Sequence, residues 1–136
     1  MSSISAIALS GLNAASRRLQ VSASNVANSQ TTGALPNADG TVPAGAPTAY
    51  TPLALVQTAS AGGGVQTSVT TVTPPTTAVF DPQASFANQD GLVAAPNVDL
   101  SQEMVNQMLA SYSFAANARV LRAEDRMNQT LIDRLA

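Results

Sequence analysis

Cysteine, histidine, tryptophan and lysine are all missing from this chain of 136 residues. Without cysteine there is no disulfide framework and no thiolate chemistry. Without histidine and cysteine the metal ligands are reduced to carboxylates, and a Ser-His-Asp triad cannot be built. Large side chains are scarce too: 4% of the residues are aromatic and 10% are charged. Apolar burial is worth roughly 25 cal/mol per Å², so a lone monomer of small residues has a thin core. Small residues do let helices approach closely. No stretch reaches the roughly 20 apolar residues of a membrane span. Met1 is followed by neither a basic stretch nor a long apolar run, so no cleavable secretory signal is expected.

What is present is unevenly placed. The six basic residues are all arginine and lie towards the ends, at Arg17, Arg18, Arg119, Arg122, Arg126 and Arg134. The hydrophobic period divides the chain into three. In the first segment, 1–28, Ala8, Leu12, Ala15, Leu19, Ser22 and Val26 recur at spacings of four and three, a helical seam. Ile4, Ile7, Gly11, Ala14 and Val21 widen it. Ser2 or Ser3 is a candidate cap, and the helix would be roughly 35 Å long.

The second segment, 29–98, holds all eight prolines and seven of the eight glycines. Within it, 50–58 and 65–73 are rich in β-branched residues, with Gly62-Gly63-Gly64 between them. This predicts a β-hairpin ended by Pro74-Pro75. The stretch 31–47 reads as a long loop. Substitutions in this insert, at Tyr50 or Asp39, are expected to be mild.

The third segment, 99–136, opens on Asp99 as a cap, with Gln102 and Glu103 in the first turn. No proline or glycine follows, predicting a helix of roughly 50 Å. Val105, Leu109, Tyr112, Ala116, Val120, Ala123, Met127 and Leu131 form one stripe. Ala110, Phe114, Ala118 and Leu121 form another on the far side. Met108 sits at a packing position. A helix apolar on two faces needs more than one neighbour, so the residues of the terminal helices are expected to form assembly interfaces and to order fully on assembly.

Catalytic chemistry has no foothold. Asp39, Asp81 and Asp90 are isolated, and Glu124-Asp125 read as solvated surface or as an ion pair with Arg122. Gly62-Gly63-Gly64 lacks the following Lys-Ser/Thr of a phosphate loop. The net charge of −2 gives no basic patch for nucleic acid. No enzyme activity, no cofactor, no metal and no small-molecule substrate is expected.

Short motifs carry a resemblance. Ala23-Ser24-Asn25-Val26-Ala27-Asn28, near the end of the first helix, resembles the signature of flagellar axial proteins (rod, hook and hook-associated). Against this stands the plainer reading that Asn25 and Asn28 only terminate a helix, where asparagine tolerates a left-handed backbone. Val79-Phe80-Asp81-Pro82, Asp90-Gly91-Leu92-Val93, Pro96-Asn97-Val98-Asp99 and Glu103-Met104-Val105 follow in the order found in the proximal-rod branch of that family. The stretch from Ser111 to Asn117 looks like the family's Ser-Arg-Ala-Tyr-Glu-Ala-Asn. Tyr112, Phe114 and Ala115 replace its arginine, tyrosine and glutamate, as in a divergent member.

The resemblance implies an α+β subunit, with long N- and C-terminal helices paired in a coiled-coil-like bundle and a β-hairpin and loop insert between them. Segments 1–28 and 99–136 would form the inner rod domain and 29–98 an outer part. It further implies helical assembly with copies of itself, with proximal and distal rod subunits and with the MS-ring/rod junction protein. Export would use the flagellar type III apparatus, without signal cleavage, into a periplasm-spanning rod that carries torque from motor to hook. The motif residues implied to matter are Asn25, Asn28, Pro96, Asn97, Asp99, Glu103 and Asn117. A filament or adaptor of another type III system is the alternative.

Overall fold

A computed structural model describes residues 3–37 and 39–135. Its elements run α1 (Ser3–Ala27), β1 (Leu53–Ala59), β2 (Val65–Thr71), β3 (Thr76–Phe80), β4 (Leu92–Pro96) and α2 (Leu100–Leu135). The α+β class holds, with long helices at both ends of the chain. Ser3 is already helical, and Ser2, the other candidate cap, lies outside the described residues.

α2 starts where the sequence predicted. The Asp99 carboxylate accepts the main-chain N–H groups of Ser101 at 2.9 Å and Gln102 at 3.1 Å, filling donors that a first helical turn leaves unpaired. At 36 residues α2 is longer than the 25-residue α1, by roughly 16 Å at the helical rise. The two run antiparallel: Ser5 meets Glu124, Gly11 meets Asn117, and Ser22 and Asn25 meet Glu103. Beyond Glu124 the last turns of α2 overhang the described start of α1.

β1 and β2 form the expected hairpin, pairing Leu53 with Thr71 through to Ala59 with Val65. It lies on α1, and its glycine turn is shaped for that contact. A Cβ on Gly64 would overlap Ser10 Oγ, and φ there is +84°, a value that favours glycine. Ser10 Oγ accepts the Val65 N–H at 3.1 Å and donates to the Ile7 carbonyl at 2.7 Å. At mid-strand Arg18 donates to Gln57 Oε1 at 2.9 Å.

A second hairpin, β3 with β4, pairs Thr76 with Pro96 through to Phe80 with Leu92, and no strand there was predicted. Its signal was masked by the connection 81–91, whose turn depends on side-chain caps. Asn88 Oδ1 accepts the N–H groups of Asp90 and Leu92, Asp81 Oδ1 accepts that of Gln83, and Gly91 takes φ +72°. Val93 and Ala94 are buried. The loop 31–47 is not free along its length. Gly33 and Ala94 exchange both main-chain bonds, and Ala34 donates to the Pro47 carbonyl.

Candidate assembly surfaces

Asn25 sits where α1, α2 and the insert converge, and it is 1% exposed. Its Nδ2 donates to the Leu53 carbonyl at 2.8 Å and to Glu103 Oε1 at 2.6 Å. Its Oδ1 accepts the Leu53 N–H at 2.9 Å and the Tyr50 hydroxyl at 3.1 Å. The Leu53 peptide offers one donor and one acceptor, so the amide fits in one orientation only. The Tyr50 hydroxyl also lies 3.0 Å from Ser24 Oγ, and Ser22 Oγ donates to the Glu103 carbonyl at 3.0 Å. No buried side-chain nitrogen or oxygen among the described residues is left without a partner. A satisfied buried network fixes one arrangement, whereas a half-satisfied one costs stability.

One reading of the sequence is corrected here. Asn25 and Asn28 do not end the helix through a left-handed backbone, since no described residue other than glycine has positive φ. Asn25 lies inside α1, and Asn28 donates from Nδ2 to the Ser24 carbonyl at 3.0 Å. Tyr50, in the insert, contributes its hydroxyl to this network.

The other motif residues each fasten a junction. Buried Pro96 ends β4, and Asn97 ties that end to the Pro74-Pro75 pair, bonding Pro75 through its N–H and Pro74 through Nδ2. Asp99 caps α2. Asn117 lies across Gly11, with its amide held to the Ser113 carbonyl at 2.8 Å, and a Cβ on Gly11 would overlap it.

The two helices meet through small and polar residues. Ala8, Ala15, Ser22 and Asn25 of α1 are buried, as are Ala110 and Glu124 of α2. The surface reading of Glu124 is corrected: it accepts a hydrogen bond from Ser5 Oγ at 2.7 Å. Of the expected interface positions on α1, Ala8 and Ala15 are buried within the chain, Leu12 and Val26 are half-buried, and Ile4, Ile7 and Leu19 are exposed.

On α2 the two stripes have different fates. Ala110 is buried beside α1, Ala118 and Leu121 are half-buried, and Phe114 lies on the rim. Phe114 and Leu19 line an open groove of about 370 Å³ floored by Ala15 and Ala110. The other stripe faces outward: Val105, Leu109, Tyr112, Ala116, Val120, Met127 and Leu131 are all exposed, Tyr112 at 74%, and Met108 beside them is exposed as well. Backbone spacing revealed these stripes. It did not reveal that the intrachain partner would take the small and polar residues and leave the large apolar ones outside.

No group of three or more acidic residues able to hold a metal ion occurs among the described residues. Asp39 is a fully exposed turn residue. Its carboxylate accepts the Thr41 hydroxyl at 2.6 Å and the Thr41 N–H at 2.9 Å. These bonds hold its pKa below the ordinary value.

Both ends of the chain match known family models. Residues 6–34 fit the flagella basal body rod protein model, and residues 89–134 fit the C-terminal model of the flagellar basal body rod FlgEFG proteins. The flagellar basal-body rod protein FlgC of Yersinia enterocolitica is 40% identical over 119 residues, covering 85% of this chain and 83% of that one. The chain belongs to the FlgC family. The FlgC proteins of Salmonella typhimurium and Escherichia coli O157:H7 match over the same shares at 40% and 39% identity. The two rod models cover α1 with the start of the loop, and β4 with α2. In this FlgC-family chain those are the segments that the Asn25–Glu103 bond joins.

Proposed function

We propose that this chain builds the proximal part of the flagellar rod by stacking helically through the outward faces of its two terminal helices. As a member of the FlgC family it is a structural subunit of the flagellar basal-body rod. In the proposed arrangement α1 and α2 form the inner part and 29–98 the outer part. The carrying observation is the placement of the large apolar side chains. The helices use small and polar residues on each other and leave Val105, Tyr112, Phe114, Met127 and Leu131 exposed. Neighbouring copies, other rod subunits and the MS-ring/rod junction protein would cover them. Contacts of this kind, between different patches on successive subunits, do not close and therefore propagate a filament. Such a rod spans the periplasm and transmits torque, and its subunits leave through the flagellar export apparatus without losing a signal peptide.

Phe114→Asp tests the reading. The side chain is 48% exposed in the single chain, so the monomer accommodates the charge. In an assembled contact the charge is buried without a partner, at a cost of several kcal/mol. The expected outcome is a chain that is expressed and helical, is missing from isolated basal bodies, and leaves the cells non-motile. Motile cells whose rods contain the variant in normal amount would refute it.

A further inference from the structure

Both hairpins leave main-chain groups on their outer edges, and the edges differ in what covers them. The Leu53 N–H and C=O both bond Asn25, so residues 53, 55, 57 and 59 of β1 and 71, 69, 67 and 65 of β2 present their main-chain groups away from the hairpin. The β1 edge is bonded at Leu53 alone; the main-chain groups of Leu55, Gln57 and Ala59 bond no described residue, but Leu55 lines a groove with Asn106 and Leu109 of α2 and Gln57 another with Ser113 and Asn117, so this edge lies along α2. On β4 every outward group is taken. Leu92 bonds Asn88 with both groups, Ala94 bonds Gly33 with both, and the Pro96 carbonyl accepts from Val98. On β2 the Val65 N–H is taken by Ser10. Clear of α2 are Thr67, Val69 and Thr71 on β2, and Thr76, Ala78 and Phe80 on β3, whose outward main-chain groups bond no described residue.

These two open edges share a second property. From 41 to 80 the chain carries no charged side chain, and neither β2 nor β3 contains a proline. Sheet edges that must stay unpaired are normally blunted by charge, proline or a bulge. Here none of these devices is present. β3 is also exposed along its side chains, with Val79 at 44% and Phe80 at 69%.

We propose that the open edge of β2 pairs with the open edge of β3 from a neighbouring copy of this chain, making a sheet that runs between subunits. The inference rests on the rod-subunit reading, which brings copies side by side. The edges differ, so β2 of one copy meets β3 of the next, leaving the first copy's β3 and the second copy's β2 free to continue. A pairing of unlike patches of this kind suits a helical stack, whereas an edge that pairs with itself closes a dimer. Main-chain bonds supply the adhesion, and neither strand carries a charged side chain that would repel the other.

The cysteine-free background allows a direct test. Ser68→Cys and Ala78→Cys place single thiols on exposed side chains at the centres of the two edges. Cells co-expressing the two full-length variants are used to prepare basal bodies, which are treated with a short bismaleimide. Cross-linked dimer in the co-expressing cells and in neither single-variant strain is the expected result. Dimer from Ser68→Cys alone would mean that β2 pairs with itself, and would overturn the proposal. No dimer in basal bodies that contain both variants would overturn it too, while leaving the rod assignment intact. Failure of the unaltered chain to enter basal bodies would instead count against the rod reading.

A second measurement uses Val69→Pro, which removes an outward N–H and spares the β1 ladder. Its monomer is expected to keep the helical signal of the unaltered chain, with recovery in basal bodies reduced at least about tenfold, equivalent to 1.4 kcal/mol. Unchanged recovery would overturn the pairing.

Discussion

Asn25→Asp is the sharpest probe of how the chain holds together, because it exchanges one NH₂ group for an oxygen. Both Nδ2 bonds are lost, to the Leu53 carbonyl and to Glu103 Oε1, while the two acceptances at Oδ1 remain. A bond to a neutral carbonyl contributes about 1 kcal/mol and one to a charged group about 1.5–3 kcal/mol. The new carboxylate then faces that of Glu103. Two like charges about 4 Å apart repel by roughly 4 kcal/mol at an effective dielectric constant of 20, and the pair relieves part of this by taking up a proton. The sum at neutral pH is a destabilisation of about 3–6 kcal/mol, a large share of the 5–15 kcal/mol typical of a domain. The assay is urea denaturation followed by circular dichroism, at a concentration where the unaltered chain is helical. Adding Glu103→Gln removes the repulsion and provides an amide donor for the new carboxylate, so the double variant should recover about half of the loss. Because the shared proton binds more tightly in the folded chain, the single variant's deficit should shrink as the pH falls. A single variant within about 0.5 kcal/mol of the unaltered chain, the range of an ordinary surface change, would refute the network. So would a deficit that Glu103→Gln leaves untouched.

Three further outcomes follow from the geometry. Gly11→Ala places a methyl group on the Asn117 amide and should cost about 1–3 kcal/mol as overpacking; Asn117→Ala in the same chain should recover most of it in the same denaturation assay. Gly64→Ala should loosen the hairpin from α1, seen as faster amide exchange at Val65, whereas Gly62→Ala, with nothing within 4 Å of its Cβ, should leave exchange unchanged. The Asp39 carboxyl should titrate below its ordinary value by NMR, and Thr41→Val should raise the midpoint by removing the hydroxyl bond that is the largest cause. Since the folded pKa is the lowered one, the contribution of this turn is present above the ordinary value and is lost as pH falls through the folded midpoint.

Much of the architecture could be read from residue order alone. The 3.6-residue period of 3–28, the Asp99 cap and the proline-free run after it predicted both helices to within a residue or two at their ends. The β-branched stretches around three glycines predicted the first hairpin. All of these depend on neighbours close in sequence, where backbone geometry dictates the pattern. The second hairpin was not legible, because its turn is made by the side chains of Asp81 and Asn88 and its buried strand packs on a loop more than fifty residues earlier, through Gly33.

Composition and period determined that this chain carries more apolar helix surface than one partner can cover. Only the tertiary structure decided which surface that is. The antiparallel pairing of α1 and α2 sets Gly11 against Asn117 and Ala15 beside Ala110, and it anchors the polar residues Asn25 and Glu103 on each other. Close packing favours small side chains where backbones nearly touch, and buried polar atoms need partners. Spacing along one helix cannot reveal either requirement, since both arise between segments about eighty to a hundred residues apart in the chain.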